Sequence, residues 1–416
     1  MAQRYQLIEE CRLCGGDELS LYVDFGEVSL GNNLQESAVA ALAVTADPLV
    51  LNRCTKCKHF QLGHAIAPEI LYATNYTYLS GIGASFIKHF QDYASWAEEN
   101  CSLPDKALVV DIGSNDGTCL NAFQQRGYRV CGVDPASIAA GIANENGITT
   151  LNTFFDADAV EEVVRRYGHA DLVTSHNVLA HVDDLAGVFR NIYSLLKDDG
   201  YFAFEIGYFR EVLRTGCFDT IYHEHLDYHH AAPLARHLTA LGFDLLSLSM
   251  NSVQGGSLRL LLKKTGKGEV SPAAQEFLAE ERKSILYDDA SLASWKQHIE
   301  TQMGAFRKML RKHADNGAKI VAYGAPTKAV LLMKMAGLGA DEITFVVEDN
   351  KHKVGRFLPQ TAIPIRPSSE LVAAKPDVIV IFAWNFADDI VGKLKGQFDK
   401  PVELIIPLPS VRNMVI

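Results

Sequence analysis

Val110-Asp111-Ile112-Gly113-Ser114-Asn115-Asp116-Gly117 decides the fold of this 416-residue chain. An apolar run from Ala107 ends in an acid, passes into a turn carrying two glycines and continues as a helical pattern. Strand, tight turn and helix open a ligand-binding α/β unit, because glycine lets backbone and ligand approach closely. Roughly twenty residues on, where such units carry the acid that takes a ribose, the run Arg129 to Asp134 ends in a carboxylate. Runs at Asp171 to Ser175 and Tyr201 to Ile206 follow, separated by amphipathic stretches, so a parallel sheet is expected. Gly255-Gly256 and Leu258 to Lys264 predict an added hairpin strand, and 272–316 reads as one long helix. From 317 the pattern restarts as a smaller α/β unit, with strands Lys319 to Tyr323, Ile343 to Val347 and Val378 to Phe382.

The turn's chemistry selects among ribose-bearing ligands. A nicotinamide site carries Gly-x-Gly-x-x-Gly and offers a helix N-terminus to a pyrophosphate, whereas Asp116 here would repel one. S-adenosylmethionine is cationic and phosphate-free and fits better; the bland alternative is an ordinary Gly/Asn/Asp turn. On the cofactor reading, Asp111, Gly113, Asn115, Asp116, Gly117, Asp134 and Pro135 form the adenosyl and methionine cradle. Phe154 and Phe155 would cover the adenine, and His176, Asn177 and His181 would lie beside the methionine end.

Two Cys-x-x-Cys pairs, Cys11/Cys14 and Cys54/Cys57, precede this unit. Two intervening residues let both thiolates of a knuckle reach one ion, and two knuckles complete the tetrahedral shell of structural zinc. Unrelated reduced thiols, or a redox pair, are the alternative. A chain of this length exceeds one hydrophobic core, and three units are expected: zinc-binding residues 1–72, the cofactor unit 73–305 and a C-terminal unit 306–416.

Phe218 to His230 holds four histidines and two tyrosines. Histidine is the usual general base at neutral pH, and a phenol can stabilise an enolate oxygen. A base beside a sulfonium suggests carbon methylation; a His/Glu metal site using His223 and His225, or satisfied core histidines, remain open.

These residues resemble the three-domain sugar C-methyltransferases that act on 4-keto deoxysugar nucleotides. The resemblance spans essentially the whole chain. It rests on the cysteine pairs, the Asp-Ile-Gly-x-Asn-Asp-Gly turn, Tyr-x-Glu-His at Tyr222, Glu224 and His225, a Tyr-Gly-Ala turn at 323–325, and Ala-Trp-Asn at 383–385. It implies an α/β fold in which a class I methyltransferase (Rossmann-like) central domain lies between a small N-terminal zinc-binding domain and a C-terminal degenerate Rossmann-like domain. It implies methyl transfer to C3, with His225 as base, Tyr222, Glu224 and Tyr76 nearby, and Tyr78 and Ser80 close to the cofactor. In the last domain it implies that Lys328, Lys353, Arg356, Trp384 and Asn385 hold the nucleotide-linked sugar. Gln360, after Pro359, stands where the family's pattern has glycine.

With 48% hydrophobic residues, 21% charged residues and a net charge of −11, the composition is that of a globular chain that repels polyanions. Nucleic acid and membrane are therefore not expected as partners, and the unremarkable first ten residues read as cytoplasmic. Transfer to oxygen or nitrogen, isomerisation on the same scaffold, and an inactive zinc-knuckle binding module are the competing functions; intact Asp111, Gly113 and Asp134 weigh against the last.

Overall fold

The computed structural model describes residues 4–67, 70–71, 79–251 and 255–416. Tyr76 and Tyr78 lie outside the described residues.

In the N-terminal unit, β1 (Tyr5–Leu7) pairs with β5 (His64–Ile66), and β2 (Leu19–Val28), β3 (Asp47–Cys54) and β4 (Phe60–Leu62) form an antiparallel sheet. The fourth strand of that sheet, β11 (Asp227–Tyr228), comes from far along the chain and pairs with Phe60 and Gln61. The unit is thus completed by the histidine-rich stretch.

The central strands are β6 (Leu108–Ile112), β7 (Arg129–Val133), β8 (Thr150–Leu151), β9 (Ala170–His176), β10 (Leu196–Gly207), β12 (Phe243–Asn251) and β13 (Ser257–Lys264). Their order is β8-β7-β6-β9-β10-β13-β12. β6 is buried at every residue, which is why Leu108 to Val110 read as an unbroken apolar run: helices cover both faces of a parallel sheet. β13 runs antiparallel between β10 and β12, the expected hairpin strand. Strand order reverses between β6 and β9, and a crevice opens there at their C-terminal ends.

The C-terminal sheet repeats the logic. β14 (Ile320–Tyr323), β15 (Val346–Glu348), β16 (Ile365–Pro367), β17 (Val378–Ile381) and β18 (Glu403–Ile406) are parallel, and β19 (Arg412–Val415) is an antiparallel edge. Its switch point lies between β14 and β17. The strand expected at Ile343 to Val347 forms three residues later, after a turn.

The segment 272–316 is two helices rather than one. The first, Pro272–Glu281, has Ser271 as its cap and proline in its first turn. A 3-10 turn, Ile285–Tyr287, then intervenes, and the second helix, Asp289–Asp315, starts where the Asp288 side chain accepts from Ala290 N–H. Leu292, Trp295, Ile299, Met303, Phe306 and Leu310 form its buried stripe. Trp295 stacks on Tyr22 and donates to the Leu213 carbonyl, while Gln302 reaches Pro409, so this helix joins all three units. Among the described residues no helix is long and apolar enough to cross a membrane.

Candidate active site

The turn after β6 is built by backbone geometry. Gly113 has φ +66°, and a Cβ there would lie 2.2 Å from Val178 Cγ2 in the loop after β9. Only glycine lets these two loops close over the switch point. Asn115 also adopts positive φ, and Gly117, at +78°, caps the helix Thr118–Gln124. Asp134 Oδ2 accepts from Asn115 N–H at 2.8 Å and Oδ1 from Ala136 N–H at 2.8 Å, so this acid shapes the cradle as well as facing it. Asn115 Oδ1 accepts from Ser80 N–H, and Asp116 accepts from Gly81 N–H and Thr118. These two side chains fasten the segment that leads into the helix Ala84–Asn100.

One cavity of about 1790 Å³ runs from this turn to the C-terminal sheet. A single ligand usually occupies roughly 300–1,000 Å³, so there is room for two. Ser80, Asp111, Gly113, Asn115, Asp134, Pro135, Phe155, Asn177 and His181 line it; Asp116 and Gly117 stand behind the lining. At the end of β6, Thr174 donates to Asp111, and burial raises the Asp111 carboxyl above the usual carboxylate range. Behind it lies a group that sequence reasoning missed: Glu205 accepts from Arg259 at 2.6 Å, from Asn251 at 2.8 Å and from His89 at 2.6 Å.

Tyr222, Glu224 and His225 line the middle of the cavity. His225 Nδ1 lies 3.0 Å from the Thr220 carbonyl, which only accepts, so Nδ1 carries the proton. Nε2 therefore presents its lone pair, which accepts from the Tyr222 hydroxyl at 2.8 Å. The His181 ring stands edge-on to His225 at 4.8 Å. Burial, and then the neighbouring His181, hold the His225 pKa well below its ordinary value, leaving a neutral imidazole. Glu224 is buried, accepts from Asn32 at 2.9 Å, and is pushed up to about 7 by desolvation.

The other histidines of the stretch face elsewhere. His223 meets the Asp47 carbonyl, His229 the Leu179 carbonyl, and His230 both Glu281 and the Lys58 carbonyl. His223 and His225 do not converge: among the described residues the groups spaced for a metal are the four paired cysteines and the set Asp111, Cys119 and His176.

At the C-terminal end the cavity is lined by Lys328, Lys353, Trp384 and Asn385. Lys328 Nζ donates to Asn385 Oδ1 at 3.1 Å and sits 3.9 Å from the centre of the Trp384 ring. Trp384 in turn donates to the buried Asp219 at 2.7 Å. Lys353 donates to the Ala325 carbonyl, and desolvation lowers the pKa of both lysines. Arg356 is not brought to the cavity wall. Gln360 is also remote from it: the residue takes φ +60°, and its N–H donates to the Ala41 carbonyl of the N-terminal unit. The left-handed backbone explains a glycine preference there, and the contact shows the loop serving as a domain junction.

Cys11, Cys14, Cys54 and Cys57 converge with sulfur separations of 3.6 Å (Cys11 to Cys57) and 3.7 Å (Cys14 to Cys54). Four thiolates about 2.3 Å from zinc in a tetrahedron lie roughly 3.8 Å apart, so the donor set fits the ion. All four positions are filled by protein, and the site leaves no vacancy for catalysis.

Three family models match in succession: a zinc binding domain over residues 11–72, a methyltransferase domain over 87–248 and a C-methyltransferase C-terminal domain over 252–409. The C-methyltransferase NovU of Streptomyces niveus is 34% identical over 406 residues, 97% of this chain and 96% of that protein. The ubiquinone biosynthesis O-methyltransferase of Pseudomonas entomophila (strain L48) is 32% identical over 111 residues, 26% of this chain and 46% of its own. Among solved structures, magnesium protoporphyrin IX methyltransferase (ChlM) of Synechocystis PCC 6803 with bound SAM is 18% identical, with a TM-score of 0.33 over 43% of this chain and 79% of that one.

Proposed function

Because the chain belongs to the C-methyltransferase family, with S-adenosylmethionine as methyl donor and a structural zinc, we propose that it methylates C3 of a 4-keto deoxysugar nucleotide, with His225 as the base. The observation that carries this reading is a single cavity in which a neutral imidazole stands between an acidic adenosyl-type turn and two half-buried lysines. The donor supplies a methyl group on a sulfonium, already a good leaving group, so the chain's task is to make a nucleophilic carbon.

A proton next to a ketone is removable because the resulting charge delocalises onto oxygen. His225 is suited to take it: burial keeps the ring unprotonated, and the Thr220 carbonyl fixes the tautomer that leaves Nε2 basic. The Tyr222 hydroxyl, which holds Nε2 before substrate enters, is the nearest donor for the enolate oxygen. Lys328 and Lys353 supply charge for a diphosphate, with Trp384 and Asn385 fixing Lys328.

The test is incubation with S-adenosylmethionine and a panel of 4-keto sugar nucleotides deuterated at C3. Loss of deuterium with methyl gain is expected; exchange without methylation would indicate isomerisation, and neither would sink the substrate assignment. His225→Ala should lose both exchange and methylation, by about 10²- to 10⁴-fold, with unchanged affinity for S-adenosylhomocysteine. Exchange at the parental rate in that variant would move the base elsewhere.

A further inference from the structure

Asn32 belongs to the N-terminal unit, yet it lines the central cavity. Its Nδ2 donates to Glu224 Oε1 at 2.9 Å, and its Oδ1 accepts from the Thr327 hydroxyl at 2.8 Å. Thr327 lies in the turn after β14, next to Lys328. One amide therefore links three units; the acceptor-only carboxylate takes the nitrogen end, which leaves the oxygen to the Thr327 hydroxyl. The junction is tight: a Cβ on the preceding Gly31 would lie 2.1 Å from the Thr327 carbonyl oxygen. No residue larger than glycine lets the N-terminal loop sit this close to the C-terminal turn.

We propose that Asn32 is a positioning residue for methyl transfer, oriented by Thr327 and acting through Glu224. The inference rests on the reading that Glu224 belongs to the reacting site, and it adds two residues that this reading does not contain.

The physical argument is local. Glu224 is buried, and desolvation drives its carboxyl toward the neutral form. Two influences oppose that: the Asn32 donor and the Lys353 ammonium from the C-terminal unit, itself balanced by Glu348 behind it. On its own segment and the adjoining turn, Glu224 has His225 and His181, both held neutral by burial. Asn32 thus supplies the hydrogen bond that favours the ionised carboxylate against desolvation and aims it, and Thr327, by donating to the amide oxygen, holds the amide in that orientation. Glu224 is in place only when the N-terminal loop and the C-terminal turn are both docked.

Two measurements test this. Carboxyl ¹³C titration of glutamate-labelled protein, with Glu224→Gln used to identify the resonance, needs no substrate: the Glu224 pKa should rise in Asn32→Ala and in Thr327→Val, and stay at the parental value in Thr327→Ser. In turnover, Asn32→Ala and Thr327→Val should lower kcat about ten- to hundredfold, the range for a lost hydrogen bond to a charged group, with S-adenosylhomocysteine affinity and zinc content unchanged. A Glu224 titration that does not move in Asn32→Ala overturns the proposal. So does a Thr327→Ser variant as impaired as Thr327→Val. If the wild-type chain methylates no sugar nucleotide, the substrate assignment fails while the titration still decides the role of Asn32.

Discussion

Glu224 gives the structure its sharpest thermodynamic consequence. Its carboxyl stands at about 7 instead of an ordinary value near 4.5, chiefly because it is desolvated. Forcing such a group to ionise in the folded state costs about 3 kcal/mol. The sign follows from the direction: a carboxyl raised on folding contributes its stability below about 4.5 and loses it as pH climbs through about 7. Glu224→Gln keeps the shape and an oxygen that accepts from Asn32 but has no proton to lose. The variant should therefore exceed the parent by less than about 1 kcal/mol at pH 5 and by about 3 kcal/mol at pH 8. Scaled to a chain of this length, whose unfolding entropy is roughly 0.9 kcal/mol per degree, that is about 3 °C in melting temperature. Scanning calorimetry of both proteins at pH 5, 6, 7 and 8 reads it directly. A difference that does not change with pH would refute the desolvation argument, and a difference that grows toward acid pH would reverse its sign.

Two further outcomes follow from the geometry. Gly113→Ala forces a left-handed backbone on alanine and drives its Cβ to 2.2 Å from Val178; a cost of about 2–5 kcal/mol should abolish calorimetric binding of S-adenosylhomocysteine, whereas Gly141→Ala, in an open helical position, should bind normally, and equal binding by both would contradict the close-approach argument. Cys54→Ser should take zinc from one equivalent toward none by elemental analysis and loosen the N-terminal unit in proteolysis, and retention of a full equivalent would show that Cys54 is not a ligand.

The parts legible in the sequence are those whose physics is local. Leu108 to Val110 of β6 read as an apolar run because both faces of a parallel strand are covered, and the knuckles read as a metal site because ligand spacing is itself the chemistry. The helix break at 282–288 was legible in principle, since Asp288-Asp289 is a cap followed by an acid in the first turn, but the apolar period runs on across it and masks the stop. The histidine stretch shows the opposite failure. Four histidines signal chemistry, yet His223, His229 and His230 spend their nitrogens on Asp47, Leu179, Lys58 and Glu281, partners remote in sequence. Asn32 and Thr327 were invisible for the same reason: they are 295 residues apart, and neither type is unusual in a loop.

The segment carrying Tyr222 and His225 has little regular structure of its own, so its precision must come from what grips it. At one end Asp219 accepts from Trp384 of the C-terminal unit. At the other, β11 adds to the sheet of the N-terminal unit, Asp227 meets His59 at 2.7 Å, and His230 Nε2 donates to the Lys58 carbonyl at 3.0 Å. Lys58 and His59 directly follow Cys57, and Lys58 takes φ +71° while its N–H closes the knuckle onto the Cys54 carbonyl. A non-glycine residue holds that conformation at a cost that its surroundings must offset, and a zinc ion held by Cys54 and Cys57, the two cysteines just before Lys58, would do so by fixing the turn between them. The carbonyl that His230 grips is therefore aimed by the same turn that wraps the ion. A site with no vacancy for chemistry still bears on the cavity, because the turn that carries the zinc-knuckle cysteines is one of the two anchors that hold His225 there.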